Sequence, residues 1–227
     1  MNLSVVLPAH NEAANLGPLL DEIVRCLQGL GWDYEVIVVD DGSTDGTRQL
    51  LERYLSDRIK EVYNQTKSGY GGALRAGFAA ATKEWIFFMD ADRQFDIAEL
   101  SRLAEHSNDN DLVIGYRAHR QDHFIRKINA AIFNWSVRLL FNLWIKDIDC
   151  AFKLIRRDVI VRAKLESRGA LINTELLVKA KNMGCRIRQV PVSHFPRLLG
   201  QPSGANIKVI LRAMRELASF RLTGHVR

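Results

Sequence analysis

Glu84-Trp85-Ile86-Phe87-Phe88-Met89-Asp90-Ala91-Asp92-Arg93-Gln94 is the stretch on which the fold turns. Residues 84–89 form a short, almost wholly apolar run that stops at two carboxylates flanking one small residue. Apolar character without polar alternation reads as a strand buried on both faces, as in parallel sheets covered by helices. Acids that open where such a strand stops lie at the carboxyl end of the sheet, where ligands bind in open α/β folds. Two carboxylates so placed can turn to one point. Hard cations such as Mg2+ or Mn2+ take oxygen ligands of that kind and also bind substrate phosphates.

The pattern repeats outward from this stretch. Residues 3–7 and 35–39 are apolar, β-branched runs, stopped by Pro8 and by Asp40-Asp41-Gly42, and 59–63 and 111–114 are strand-like too. Between them, 13–27 carries Leu16, Leu19, Leu20, Ile23, Val24 and Leu27 at helical spacing before Gly29 and Gly31. Residues 47–54, 72–81 and 97–105 also read as helices. Strands alternating with helices predict right-handed βαβ units, hence one α/β domain with a mostly parallel sheet and helices on both faces. The polar clusters 8–12, 40–47 and 90–96 each begin at a strand end, so all three are expected at one edge. After 115 the alternation weakens: 124–145 is a long, mostly helical stretch, 152–155 and 186–192 are strand-like, 174–182 is helical, and 207–220 is a basic helix.

Composition narrows the function classes. The chain has 227 residues, 47% hydrophobic and 26% charged, which suits a single core. Cys26, Cys150 and Cys185 make no CxxC pair and are odd in number, so neither a zinc site nor a disulfide framework is expected. A reduced, cytoplasmic compartment fits, and Cys150 is expected to be packing. No basic leader and no apolar run of roughly 18–20 residues is seen, so the chain is expected to be soluble or peripheral. The formal charge of +6 favours an anionic partner. Its basic residues are scattered and carry no nucleic-acid motif, so phosphate-bearing small molecules and acidic lipid are preferred.

Two further segments carry chemistry. Asp41-Gly42-Ser43-Thr44-Asp45-Gly46 resembles an EF-hand loop in letters, but that loop needs a preceding helix and 35–39 reads as a strand. A βα turn is the better account, with Asp45 or Thr44 capping the next helix and Asp41 left to accept hydrogen bonds from a nucleobase. Ser68-Gly69-Tyr70-Gly71-Gly72 opens a helix without P-loop or dinucleotide spacing. It suits phosphate binding by backbone N–H groups and tight helix packing equally. His10 and His194 are open between binding and structural roles.

Together, Pro8-Ala9-His10-Asn11-Glu12, the 40–47 turn, Asp90-Ala91-Asp92-Arg93-Gln94 and Asp149-Cys150-Ala151-Phe152-Lys153 resemble family 2 glycosyltransferases of the GT-A fold. The resemblance is strongest to dolichol-phosphate mannose synthases and bacterial polyprenyl-phosphate sugar transferases, and it covers nearly the whole chain. It implies a nucleotide-sugar-binding half over 1–115 and an acceptor-side half over 116–227. Pro8, His10, Glu12, Val39 and Asp41 would form the base and ribose pocket, with Asp90 and Ala91 at the donor. Asp90, Asp92 and Gln94 would hold Mg2+ or Mn2+. Arg117 and Arg126 would contact phosphate, Asp149 would face the acceptor or sugar, and Arg197 would approach the diphosphate as its loop closes. Where that group has a serine four residues after Arg126, this chain has Ala130, and the usual serine-lysine pair is missing around Gly200-Gln201-Pro202-Ser203.

The activity so implied is metal-dependent, inverting transfer from GDP-mannose or a UDP-hexose to a polyprenyl (dolichyl-type) phosphate, with Asp92, Asp149 and Arg117 in catalysis. An ionised lipid phosphate needs no general base, whereas a saccharide hydroxyl would need one. Asp149 is the first candidate for that base and Glu175 the second. A non-catalytic nucleotide- or anion-binding module is the alternative of another class. The basic, aromatic helices at 124–145 and 206–221 suit an anionic membrane surface at the cytoplasmic face.

Overall fold

The computed structural model describes residues 1–118, 124–197 and 215–222, with the backbone alone for 124–131. Its first half is the expected alternation: β1 (Asn2–Ala9), α1 (Ala13–Gly29), β2 (Asp33–Asp41), α2 (Thr47–Leu51), β3 (Ile59–Asn64), α3 (Tyr70–Ala80) and β4 (Trp85–Met89). A 3-10 turn (Ile97–Glu99) leads into α4 (Leu100–Ala104) and β5 (Leu112–Arg117). Then come α5 (Phe124–Phe141), β6 (Phe152–Arg156), α6 (Arg157–Ala163), α7 (Ile172–Asn182) and β7 (Ile187–Val192), and 215–222 is helical.

The seven strands form one sheet in the order β3-β2-β1-β4-β6-β5-β7. β1 lies between β2 and β4, parallel to both, with Val5 opposite Val36 on one side and Phe87 on the other. Fully buried Val5, Val6, Leu7, Val36–Val39 and Phe87–Met89 make the centre of the core. Phe87 meets Phe152 of β6 edge-on at 4.7 Å. Helix α3 lies so close to the sheet that a Cβ on Gly77 would come within 2.4 Å of Val6 Cγ1.

One strand departs from the parallel pattern. β6 runs antiparallel to both β4 and β5, with Leu154 opposite Phe87 and Val113. Its start, not its end, therefore lies beside the carboxyl end of β4. That reversal brings residues 147–151 to the same edge as the three polar loops.

Other differences have local causes. β1 continues through Pro8 to Ala9, beyond the expected stop, because its pairing with β2 runs on to Ala9–Asp40 after its pairing with β4 has ended at Val6–Phe88. α2 ends after five residues, and the helix expected at 124–145 ends at Phe141, next to Asn142 at φ +49°. Helix α6 had no sequence signal: seven residues starting beside a strand are too short for a periodicity to show. Of the basic helix at 207–220, only 215–220 lies among the described residues, and Gly200–Ser203 lies outside them.

Candidate active site

The first wall of the site is made by two loops zipped together. Asn11, at φ +59°, donates its N–H to Ser43 Oγ at 2.9 Å and accepts from Thr44 N–H at 2.8 Å. Glu12 N–H donates to Thr47 Oγ1, and Ala13 N–H to Asp45 Oδ2. Asp45 also accepts from Thr47 N–H, one of the first-turn donors that a helix leaves unpaired. Its carboxylate thus caps α2 from one residue before Gly46, the αL residue in the cap position. His10 Nδ1 lies 2.9 Å from the Asp41 carbonyl, which can only accept, so Nδ1 carries the proton.

Asp41 is tied into the structure through both carboxylate oxygens. Its Oδ1 accepts from Asn64 Nδ2, Ser68 N–H and Ser68 Oγ, and its Oδ2 from Gly69 N–H at 2.9 Å. Burial opposes its ionisation, but those bonds prevail and hold the carboxyl below its ordinary range. Asp41 ties down the glycine-rich turn and shapes the edge of the cleft. The turn itself is a packing device: Gly71 and Gly72 donate to the Arg168 carbonyl at 2.9 and 3.3 Å, and a Cβ on Gly71 would meet Ser167 O at 2.5 Å. A backbone oxygen thus occupies the place that a phosphate would take at this helix start. Val39 is wholly buried beneath α3, so its side chain serves the core rather than a pocket.

Asp90 and Asp92 stand just beyond β4, with buried Ala91 between them. Asp90 keeps partial exposure, yet burial of its carboxyl and then the neighbouring Asp92 push it up to about 7, against the pull of Tyr70, Arg117 and Lys153. Asp92 is raised as well, by burial first and Glu12 in part, against Gln94 N–H and Arg197. Two acids that resist ionising together form an oxygen-donor site short of positive charge, which fits a divalent cation. Among the described residues no cluster of three His, Cys, Asp or Glu could hold a metal, so the remaining ligands would come from water and substrate.

A strap from β7 crosses this pair. Phe195 N–H donates to the Gln94 carbonyl at 2.8 Å, and Gln94 Nε2 to the Phe195 carbonyl at 2.9 Å. His194 packs edge-on to Phe95 at 5.1 Å, a structural role in its resolved contact. The strap carries Arg197, whose guanidinium lies 2.6 Å from Glu12 Oε1 and 3.5 Å from Asp92 Oδ2. Residues more than a hundred apart in sequence thus share one charge cluster.

The 147–153 side of the cleft contains contacts that sequence reasoning missed. Arg117 was expected to face phosphate, but its fork is held by buried Asp147, with Nε–Oδ2 at 2.6 Å and Nη2–Oδ1 at 2.7 Å. Lys153 is wholly buried and donates to the Ile148 and Cys150 carbonyls and to Asn173 Oδ1. Asp147 lies thirty residues from Arg117 and Asn173 twenty from Lys153, so neither side-chain pairing had a local signal. Asp149 is partly exposed, and Tyr70 is raised well above its ordinary range by burial and then by Asp90 and Asp149. Tyr70 thus has both Asp90 and Asp149 within electrostatic reach. Cys150 is buried and pushed up to about 12, chiefly by desolvation, as suits packing rather than nucleophilic attack.

Glu175, the second candidate base, is wholly buried and accepts from the Glu166 and Ser167 N–H groups and from Lys179 at 2.7 Å. It is structural. Arg126 lies on α5, with its side chain outside the described residues.

The glycosyl transferase family 2 model matches residues 4–162. The chain is 30% identical over 213 residues to an undecaprenyl-phosphate 4-deoxy-4-formamido-L-arabinose transferase of Pectobacterium atrosepticum, covering 92% of this chain and 64% of that one. A dolichyl-phosphate beta-glucosyltransferase of Dictyostelium discoideum is 29% identical, covering 84% and 65% respectively. This chain therefore spans slightly less than two thirds of the length of these curated relatives. Among solved structures, glucosyl-3-phosphoglycerate synthase from Mycobacterium tuberculosis in complex with Mg2+ and uridine diphosphate superposes with a TM-score of 0.76 at 22% identity, covering 96% of this chain and 78% of that one. The fold is accordingly GT-A.

Proposed function

The chain belongs to glycosyl transferase family 2, and from that premise we propose that it transfers a sugar from a nucleotide diphosphate sugar to a polyprenyl phosphate. The observation that carries this reading is the convergence of Asp90, Asp92, Glu12, Arg197 and Asp149 at one sheet edge, with the Asp90 carboxyl raised to about 7 by burial and by the neighbouring Asp92. In this reading the loops at 8–12 and 40–47 receive base and ribose, and Asp90, Asp92 and Gln94 hold Mg2+ or Mn2+. That ion would supply charge neutralisation of the departing diphosphate. Arg197 would exchange its carboxylate partners for the diphosphate. Asp149 would orient the acceptor on the opposite side of the anomeric carbon, as inversion requires. A lipid phosphate is already ionised near neutral pH, so orientation and charge screening suffice.

Support for the lipid acceptor comes from the names of the relatives and from α5. Ile132, Trp135 and Leu139 lie on one side of that helix at 57%, 64% and 80% exposure, with Trp144 at 68% just beyond. Arg126, Lys127, Arg138 and Lys146 accompany them, and no acidic residue lies between 124 and 146. An apolar stripe with basic flanks suits peripheral contact with an anionic membrane face. No helix among the described residues is long and apolar enough to cross a membrane.

A hydroxyl acceptor is the second reading, favoured by the partly exposed Asp149 beside the Asp90 site. Mass spectrometry after incubation with UDP- and GDP-sugars, Mn2+ and undecaprenyl phosphate separates the two. A glycosyl phospholipid is expected. Sugar found only on a soluble hydroxyl acceptor contradicts the lipid assignment.

A further inference from the structure

Lys153 is a cation placed where no solvent reaches. It is the second residue of β6, between Phe88 of β4 and Ile114 of β5, and none of its surface is exposed. An isolated ammonium in such a place would be costly, so its partners must account for it. An ammonium has three N–H donors, and all three are used: on the Ile148 carbonyl at 3.0 Å, on the Cys150 carbonyl, and on Asn173 Oδ1 at 2.9 Å. None goes to a carboxylate. The two carbonyls bracket Asp149, and Asn173, near the start of α7, fixes the ammonium from the other side.

The arrangement has two consequences for the cleft above it. The turn 148–150 is held at the carbonyls of the two residues flanking Asp149, so the backbone that carries this carboxylate cannot shift without breaking a bond to a buried charge. The same positive charge lies within electrostatic reach of Asp147, Asp149 and Asp90, so it offsets the gathering of acids at this edge. Nearby Arg117 is already committed to Asp147.

From these contacts we propose that Lys153 is the positioning residue of the acceptor side: its ammonium fixes the 148–150 turn from beneath and thereby sets where Asp149 stands relative to Asp90 and Asp92. The proposal rests on the transferase activity put forward above. It predicts a separation between donor binding and turnover, because none of the resolved bonds of Lys153 reaches the loops at 8–12 or 40–47.

The test uses the full chain with Lys153→Met, which keeps the length of the side chain and removes the charge, and Asn173→Ala, which removes one acceptor and leaves the ammonium in place. Hydrogen exchange of the amides at 147–151, nucleoside diphosphate affinity with Mn2+ by calorimetry, and kcat and KM for the donor are measured on both. Expected for Lys153→Met are faster exchange confined to 147–151, diphosphate affinity within about threefold of the parent, and kcat lower by about 100-fold, the loss that a misplacement of ~1 Å can cause. Asn173→Ala should move in the same direction by a smaller factor, and it stands in for Lys153→Met if that variant does not fold. Lys153→Arg, which restores a cation, should recover part of kcat. Unchanged exchange at 147–151, or unchanged kcat in a folded variant, overturns the proposal. So does a loss of diphosphate affinity equal to the loss of kcat, which would mark a general structural role. If the parent turns over no donor at all, the transferase reading fails, and the exchange measurement alone decides whether Lys153 holds the turn.

Discussion

Asp90 is the residue whose charge state responds most directly to conditions. Its carboxyl is raised to about 7 from an ordinary 3.8, by burial and then by Asp92. In that interval the folded chain holds a proton that the unfolded chain has lost, so without a cation stability falls as pH rises from about 4 through 7. Thermal unfolding in chelator should show Tm dropping over that window, and Asp90→Asn should flatten the drop. Added Mn2+ should restore Tm above pH 7 and do little at pH 5, where a protonated Asp90 cannot ligate. At Asp147 the effect is one of pairing. Arg117 and Asp147 are 11% and 8% exposed, and removing one partner of a buried pair leaves the other uncompensated. Asp147→Ala should cost about 3–5 kcal/mol of unfolding free energy, read from denaturant titration. The two cases differ in legibility. Asp90 and Asp92 could be found in the sequence because a strand end announced them. The partner of Arg117 lies thirty residues away beyond α5, and only the antiparallel entry of β6 brings it near.

At the scale of elements, helix starts and strand ends were readable where side chains follow a period, as in α1 with Leu16, Leu20, Ile23 and Leu27 all buried. They were not readable where backbone partners decide. The opening of α3 illustrates this: its glycines suited a phosphate cradle in sequence, yet the Arg168 carbonyl takes the donors. Gly71→Ala would drive a methyl to within 2.5 Å of Ser167 O and 2.7 Å of Gly169 O. Overpacking of that kind should destabilise by about 1–3 kcal/mol, whereas Gly29→Ala, with nothing within 4 Å, should be neutral or slightly stabilising. α5 supplies the third element-level expectation. Replacing Trp135 and Leu139 by serine should weaken partition onto anionic vesicles at least about tenfold, since each large apolar side chain buried is worth roughly 1.5–3 kcal/mol. Far-ultraviolet circular dichroism should be unchanged, because both side chains are exposed. Equal sedimentation of parent and variant would remove α5 from the membrane contact.

For the whole molecule, the topology explains why so many distant residues meet. β1, β2, β3, β4, β5 and β7 all end at one edge, and β6 begins there. Seven segments therefore meet at a single edge, with the loops at 8–12 and 40–47 on one side and the 147–151 turn on the other. The central claim is that Asp90 and Asp92 lend this cleft a cation through which it binds a donor diphosphate. Calorimetry of UDP and GDP binding in Mn2+ and in chelator, on the parent and on Asp92→Ala, tests it most directly. The account predicts that the cation strengthens binding of at least one diphosphate by about tenfold or more, a gain of roughly 1.4 kcal/mol, and that Asp92→Ala loses this gain. Equal affinity with and without the cation, or a cation effect that survives in Asp92→Ala, would contradict it.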